Sequence, residues 1–409
     1  MKLFKLLLII FLGIASPLLS KDKSDRMLLD GTETLLQFGI DSTGNWWAVT
    51  EPFSAQYRVY INGKESKTYN ELTGLQFSST GERWAYFGKN NTGWNVVAND
   101  TIINLNASEV KEIKFSNQNQ QLAYSFIDAG QEYIAYHDQK IPTYSKIGNF
   151  YISQKCTRYA YMSQRGNSYV MNINGKETQV FDEIRPIGFW YDDKFLYAAR
   201  NGNLWEVYKN EDAITETYKN IPEVAINSAG TSAGVIAQLS SDYYYTILFN
   251  DEYYEPLYSG QYDVIQDLVI HPFEPMIACR ATLNSNYFVL LNSTEYNAEE
   301  NCSKPQFTYD GSEMYFLACR ISCFFSINGK KYKLPMQLDP SYSIAKKPKA
   351  MSICYPTNTS MCVQEIESNE LFASLLIDRM CTPIYNRHSG FFEALASINN
   401  RLYYMGIKP

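Results

Sequence analysis

The sequence contains few of the residues and motifs that enzymatic chemistry usually requires. Only three histidines occur among 409 residues, His137, His271 and His388, and they are widely separated. The chain has no zinc-type Cys/His spacing and no alternating D-x-D-x-D loop. We therefore expect no catalytic residues, no metal site and no cofactor, and binding is favoured over catalysis.

Clusters of positive charge are also missing. The chain has 36 Lys and Arg against 43 Asp and Glu, a formal net charge of −7. Because binding to phosphates requires concentrated positive charge, a nucleic-acid partner and an anionic membrane surface are both disfavoured.

Long hydrophobic runs are confined to the N-terminus, where Lys2 and Lys5 precede the apolar stretch 6–12, "LLLIIFL". This pattern is typical of a secretory signal peptide, residues 1–20, with cleavage after Ser20. The mature domain would then be residues 21–409, secreted or periplasmic and without a membrane span. An uncleaved membrane anchor is the alternative.

Aromatic residues are abundant, with 33 Tyr, 22 Phe and 6 Trp. Aromatic rings favour strands because they pack well on a pleated surface. The composition therefore predicts a fold rich in β-structure.

A short segment occurs three times, as "INGKES" at 61–66, "INGKET" at 173–178 and "INGKKY" at 327–332. Asn-Gly between apolar runs is typical of a two-residue hairpin turn, because Asn and Gly tolerate positive φ. Degenerate turns and apolar strand cores recur between these copies every 36–43 residues, which gives ten units. Within residues 75–105 the pattern predicts four short strands, as in one blade of a β-propeller.

The two ends of the chain complement each other. The tenth unit lacks its fourth strand, whereas a spare strand, "RMLLD" at 26–30, precedes the first unit. We therefore predict an all-β fold, a β-propeller of about ten four-stranded blades, whose ring is closed by the N-terminal strand completing the last blade. Two five-bladed rings, or eight blades with an accessory hairpin pair, are alternatives.

The units "FSSTGERWAYF" (77–87) and "FTYDGSEMYFLA" (307–318) resemble the TolB-type, WD-like β-propeller repeat of bacteria. Phe77, Gly81, Phe307, Asp310 and Gly311 match its motif, whereas "FSNQNQQLAYS" lacks the Pro and Asp. The resemblance implies an exported binding or scaffold module. It does not identify a site, because one fold serves many functions.

The stretch 241–263 is unusually rich in tyrosine. Exposed Tyr provides a rigid amphipathic surface for a protein or a sugar, so we predict a binding role for the tyrosines of this stretch: Tyr243, Tyr245, Tyr253, Tyr254, Tyr258 and Tyr262. Packing of alternate rings between blades is the alternative. The longest units predict specialised loops at 252–272 and 295–304.

Eight cysteines in an exported chain permit disulfides. Cys354 and Cys362 flank one turn, and Cys279 and Cys319 occupy equivalent places in adjacent units. We predict at least one disulfide among these residues, with buried free thiols as the alternative.

These features together predict a non-enzymatic protein-interaction scaffold at the cell envelope, with a protein partner there or outside the cell. A carbohydrate- or small-ligand-binding propeller is the alternative, and a glycan-active enzyme has the least support. His388 and Ser389 are sequence neighbours near Asp378, but "RHSG" is interpreted as a tight turn. The acidic residues Asp192, Asp193 and Asp310 are likewise interpreted as turn residues.

Overall fold

A computed structural model describes residues 24–99, 101–137, 139–143, 147–239, 242–250, 261–308, 310–319, 323–333, 342–346, 351–356, 360–366, 371–373, 377–386 and 388–408. The predicted signal peptide, residues 1–20, lies outside the described residues. Every regular element in the described part of the chain is a β-strand, and the strands form ten antiparallel sheets. The chain also divides into two compact units, which are larger than the repeats. The first unit comprises the residues up to 71 and from 338 onward, and the second unit comprises residues 72–337.

The second unit contains seven sheets, which are numbered two to eight in chain order. The second to fourth sheets contain β6 (Glu71–Phe77), β7 (Trp84–Asn90), β8 (Gly93–Ala98) and β9 (Thr101–Asn104); β10 (Glu109–Phe115), β11 (Leu122–Asp128), β12 (Gln131–Tyr136) and β13 (Gln139–Pro142); and β14 (Ile147–Ile152), β15 (Tyr159–Arg165), β16 (Ser168–Ile173) and β17 (Lys176–Glu177). The fifth to seventh contain β18 (Glu183–Phe189), β19 (Phe195–Asn201), β20 (Leu204–Lys209) and β21 (Asp212–Ala213); β22 (Asn220–Ile226), β23 (Ala233–Gln238) and β24 (Tyr244–Phe249); and β25 (Val264–Ile270), β26 (Ile277–Leu283), β27 (Asn286–Leu291) and β28 (Thr294–Asn297). The eighth contains β29 (Asn301–Cys302), β30 (Gln306–Phe307), β31 (Met314–Cys319), β32 (Cys323–Ile327) and β33 (Lys330–Lys333).

The first unit contains the remaining three sheets. The first sheet contains β2 (Thr34–Ile40), β3 (Trp46–Phe53), β4 (Gln56–Ile61) and β5 (Lys64–Glu65), and the ninth contains β34 (Ser343–Lys346), β35 (Met351–Pro356), β36 (Met361–Glu365) and β37 (Leu371–Ala373). The tenth contains β38 (Arg379–Met380), β39 (Ile384–Asn386), β40 (Phe391–Ile398), β41 (Arg401–Ile407) and the N-terminal β1 (Arg26–Leu29).

The sheets are blades of a β-propeller, as the repeat predicts. In eight of the ten sheets the strands pair in sequence order as an antiparallel meander, whereas in the eighth sheet both β29 and β30 pair with β31, and in the tenth both β38 and β39 pair with β40. In the tenth sheet, β1 pairs with β41, with Arg26 opposite Tyr404 and Met27 opposite Tyr403. The prediction that an N-terminal strand completes the last blade is therefore confirmed.

Apolar residues lie between successive sheets rather than in one central core. Middle strands are buried on both faces, as in β23, where all six residues are buried, whereas the outer strand β9 is exposed throughout. One cluster joins the fifth and sixth sheets through Trp205, Val207, Val235 and Ile247. This arrangement explains why second and third strands have continuous apolar runs without the alternation of a half-exposed strand.

The repeated Asn-Gly turns have a structural reason beyond positive φ. In five of the turns after the third strand, the Asn backbone is left-handed, and its side-chain Oδ1 accepts the N–H of the first residue of the second strand. This bond joins Trp46 to Asn62, Trp84 to Asn99, Phe195 to Asn210, Ile277 to Asn292 and Met314 to Asn328, at 2.8–2.9 Å. Asparagine therefore satisfies both the backbone conformation and a strand-end donor.

Candidate binding surface on the first turns

The turn between the first and second strands of each sheet, called the first turn here, has one recurring side-chain acceptor. At its first position a short polar side chain accepts backbone N–H groups from within the same turn, which fixes the loop locally. The residues in this role in the second unit are Ser78, Ser116, Ser153, Asn227, His271 and Thr308. The fifth sheet has Trp190 there, and Asp192 accepts the N–H of Lys194 instead.

Hydrogen bonds also connect each first turn of the second unit to the next. The contacts, in chain order, are Ser78 Oγ to Gln120 Oε1 (2.9 Å), Gln118 N to Gln154 O (2.9 Å), Thr157 Oγ1 to Asp193 Oδ2 (2.8 Å), Tyr191 N to Gly230 O (2.9 Å), Asn227 Nδ2 to Pro272 O (3.3 Å) and His271 Nε2 to Gly311 O (2.8 Å). The carbonyl of Ser228 additionally accepts from Asn117 Nδ2 and Gln154 Nε2, both at 2.9 Å. The first turns of the seven sheets therefore form one connected surface, called the first-turn surface below.

Two large aromatic rings are exposed on the first-turn surface. Tyr191 is 47% exposed and Phe273 is 59% exposed. They stand on either side of the first turn of the sixth sheet, because that turn bonds to Tyr191 through Gly230 and to Pro272 through Asn227. Exposed aromatic rings held on a rigid support are typical of protein-binding surfaces.

A groove with a volume of about 580 Å³ opens beside Phe273. Its wall comes from the ends of the first strands of the seventh and eighth sheets and from the turns beside them. The apolar lining residues are Val269, Ile270, Pro272, Phe273, Pro305 and Phe307, and the polar ones are Ser228, Lys304, Gln306 and Thr308. The volume lies within the range of about 300–1,000 Å³ that is typical of ligand pockets.

His271 holds the aromatic wall of this groove in place. Its ring is only 2% exposed and contacts the rings of Phe273 and Phe307 edge-on, with centroids 6.2 Å and 4.8 Å away. Nδ1 accepts the N–H groups of Phe273 (3.1 Å) and Glu274 (2.7 Å), so the proton of the neutral ring lies on Nε2, which donates to Gly311 O. This arrangement requires the neutral imidazole, because a proton on Nδ1 would face two other donors.

The predicted tyrosine surface is only partly present. Tyr243 is 38% exposed, but Tyr245 and Tyr262 are 8% and 2% exposed. The Tyr262 hydroxyl donates to Glu295 at 2.6 Å, and burial raises the pKa of Tyr262 above its usual range. Tyr245 and Tyr262 are therefore packed inside the fold, whereas Tyr253, Tyr254 and Tyr258 lie outside the described residues. A binding role for the predicted tyrosines stays a prediction.

The predicted disulfides are not formed in this structure. Cys279, Cys354 and Cys362 have buried free thiols, and the side chain of Cys319 is not among the described ones. Cys354 pairs with Val363 and Cys362 with Tyr355, so the two cysteines point to opposite faces of one sheet. Cys279 packs into an apolar cluster with Ile236.

The serine, histidine and aspartate residues considered as catalytic candidates have structural hydrogen-bond partners. Ser389 Oγ donates to Glu393 Oε1 at 2.5 Å, and the backbone N–H of His388 bonds to Asn386, as expected of a tight turn. Asp310 accepts the hydroxyls of Thr308 and Ser312 within its own turn. In the described part of the chain, no three His, Cys, Asp or Glu side chains are grouped to hold a metal ion.

Sequence reasoning missed the residues that shape the groove. His271 and Phe273 occur in "HPFEP", which replaces the Ser or Asn of other first turns, and this departure was a detectable signal. Lys304 and Pro272 fall at the ends of the predicted specialised loops, 295–304 and 252–272. Their part in binding stays a prediction.

The sheet topology and the turns define this protein as a β-propeller. No family model matches the chain, and no curated protein matches its sequence. It is similar to a solved structure described as "Crystal structure of the eukaryotic initiation factor", with 12% identity, 83% of this chain and 89% of the other covered, and a TM-score of 0.45. A second, described as "Structure of Dos1 propeller", has 10% identity, coverages of 83% and 93%, and a TM-score of 0.37. The described residues contain no helix long and apolar enough to cross a membrane.

Proposed function

We propose that this protein is an exported, non-enzymatic scaffold that binds a protein partner at the cell envelope through the first-turn surface. The observation that carries the proposal is the exposure of Tyr191 and Phe273 on turns that are connected to one another by hydrogen bonds. The N-terminal signal pattern supports export. The resemblance of the repeats to TolB-type blades supports a location at the bacterial envelope.

The rigidity of the turns supports binding because little conformational entropy is lost when a partner contacts them. Tyr191 lies in a turn tied to Gly230, and Phe273 follows the buried His271, which accepts its N–H. Aromatic residues with these properties are frequent hot spots, where truncation to Ala weakens binding by about 2 kcal/mol or more.

The test uses purified residues 21–409, immobilised and exposed to the envelope fraction of the host at high salt. We expect a stoichiometric protein partner, and we expect Tyr191→Ala combined with Phe273→Ala to weaken its binding about tenfold or more. The matched control is Phe53→Ala, because Phe53 is an equally large ring, 66% exposed, in the first unit. Equal loss with the control, or full binding by the double variant, would exclude the first-turn surface as the interface.

A further inference from the structure

The groove beside Phe273 is lined by apolar side chains and by the hydrogen-bond donors of Lys304 and Gln306. Lys304 and Gln306 belong to the segment that leads into the first strand of the eighth sheet, and Phe307 follows them at the turn end. Lys304 and Gln306 provide polar groups on the eighth-sheet side of the groove, which we call its polar end. Phe307 and Phe273 provide aromatic rings, and we call this part of the groove its aromatic end.

The donors at the polar end are available to a ligand. Lys304 is exposed, and no ion pair with it occurs among the described residues. Gln306 Oε1 accepts the hydroxyl of Tyr315 at 2.8 Å, so the amide of Gln306 presents its N–H₂ group as the remaining polar atom. An ammonium and an amide N–H₂ together favour a negatively charged acceptor.

The other polar lining groups are already engaged. Thr308 Oγ1 donates to Asp310 at 2.6 Å, and the carbonyl of Ser228 accepts from Asn117 and Gln154. The acidic side chain of Glu274 is exposed on the turn that carries Phe273, so an anion is disfavoured at the aromatic end. The charges therefore orient a ligand with its anionic group at Lys304 and its apolar part towards Phe273.

We propose that this groove is a binding site for a small amphiphile, an apolar molecule that carries one carboxylate. The apolar part packs on Ile270, Pro305 and Phe307, and the carboxylate bonds to Lys304 and Gln306. This ligand site shares Phe273 with the protein interface proposed above but takes a different kind of ligand.

Calorimetric titration of the purified chain with decanoate tests the proposal, with decylamine as the ligand of opposite charge. We expect saturable binding of one decanoate and no saturable binding of decylamine. Lys304→Gln should weaken the binding of decanoate about five- to twentyfold, and Gln306→Ala should weaken it about threefold, because charged hydrogen bonds contribute more than neutral ones. No partner protein enters this experiment, so its result is independent of the proposed scaffold function.

The matched control is Lys155→Gln, which removes an exposed lysine from the first turn of the fourth sheet, away from the groove lining. This variant should bind decanoate like the parent chain. Near-ultraviolet circular dichroism checks that each variant is folded. Absence of saturable binding, equal affinity for decanoate and decylamine, or equal effects of Lys304→Gln and Lys155→Gln would each overturn the proposal.

Discussion

The Asn in the turn after the third strand makes two separable contributions to stability, and Asn210 allows both to be measured. Its φ is 56°, and its Oδ1 accepts the N–H of Phe195 at 2.9 Å. The side chain of Phe195 is fully buried between the fourth and fifth sheets. The turn therefore depends on a residue that tolerates the left-handed region and also offers an acceptor.

The expected magnitudes follow from these two roles. Asn210→Ala loses the acceptor, which costs about 1–3 kcal/mol when a buried N–H is left unpaired. It also replaces a residue that tolerates the left-handed region by one that does not, which costs about 1–2 kcal/mol. Asn210→Gly keeps the conformation and loses only the acceptor. Asn210→Asp keeps an acceptor and tolerates positive φ.

The assay is urea unfolding followed by tryptophan fluorescence. We expect the order of stability to be parent, then Asp close to it, then Gly, then Ala, with Ala about 2–5 kcal/mol below the parent. If Gly and Ala were equally destabilised, the backbone conformation would not matter. If Asp were as poor as Gly, the hydrogen bond to Phe195 would not contribute.

Two further predictions concern titratable side chains. His271→Ala should lower the thermal midpoint and weaken binding at the groove, because two turn N–H groups lose their acceptor. His271→Asn should keep most of the stability and binding, since Asn227 has this acceptor role in the preceding turn. Equal loss in both variants would contradict the acceptor role. Burial raises the pKa of Cys156 and of Cys381 from about 9 to about 11. The contribution of these two protonated thiols to the stability of the fold is therefore complete below pH 9 and is lost as the pH rises through 11. The urea midpoint measured from pH 8 to 11 should therefore fall, and a constant midpoint would refute this.

The repeat was readable from the sequence because it depends on local chemistry. Asn62, Asn174 and Asn328 adopt positive φ in the structure, as the Asn-Gly pairs predict. The strand that completes the tenth sheet was also predictable, because "RMLLD" had no partner within its own unit. Period and turn type are therefore encoded within a few neighbouring residues.

The site depended on information that the sequence does not display locally. Tyr245 and Tyr262 are buried because both faces of a sheet are covered here, so the period-two rule could not separate exposed rings from buried ones. Cys354 and Cys362 are on opposite faces because of a register that only the pairing reveals. The groove joins Lys304 to Phe273, which belong to different sheets.

The pairing of β1 with β41 has a consequence for how the protein folds. Arg26 and Tyr404 are partners, so the tenth sheet unites segments that are almost a chain length apart. The entropy of closing such a loop grows only slowly with its length, but contacts of this separation form late and slowly. During folding, β41 has an open edge until β1 pairs with it, and an open edge can pair with a strand of another chain. At the tenth sheet, correct folding therefore competes with aggregation until β1 has paired with β41.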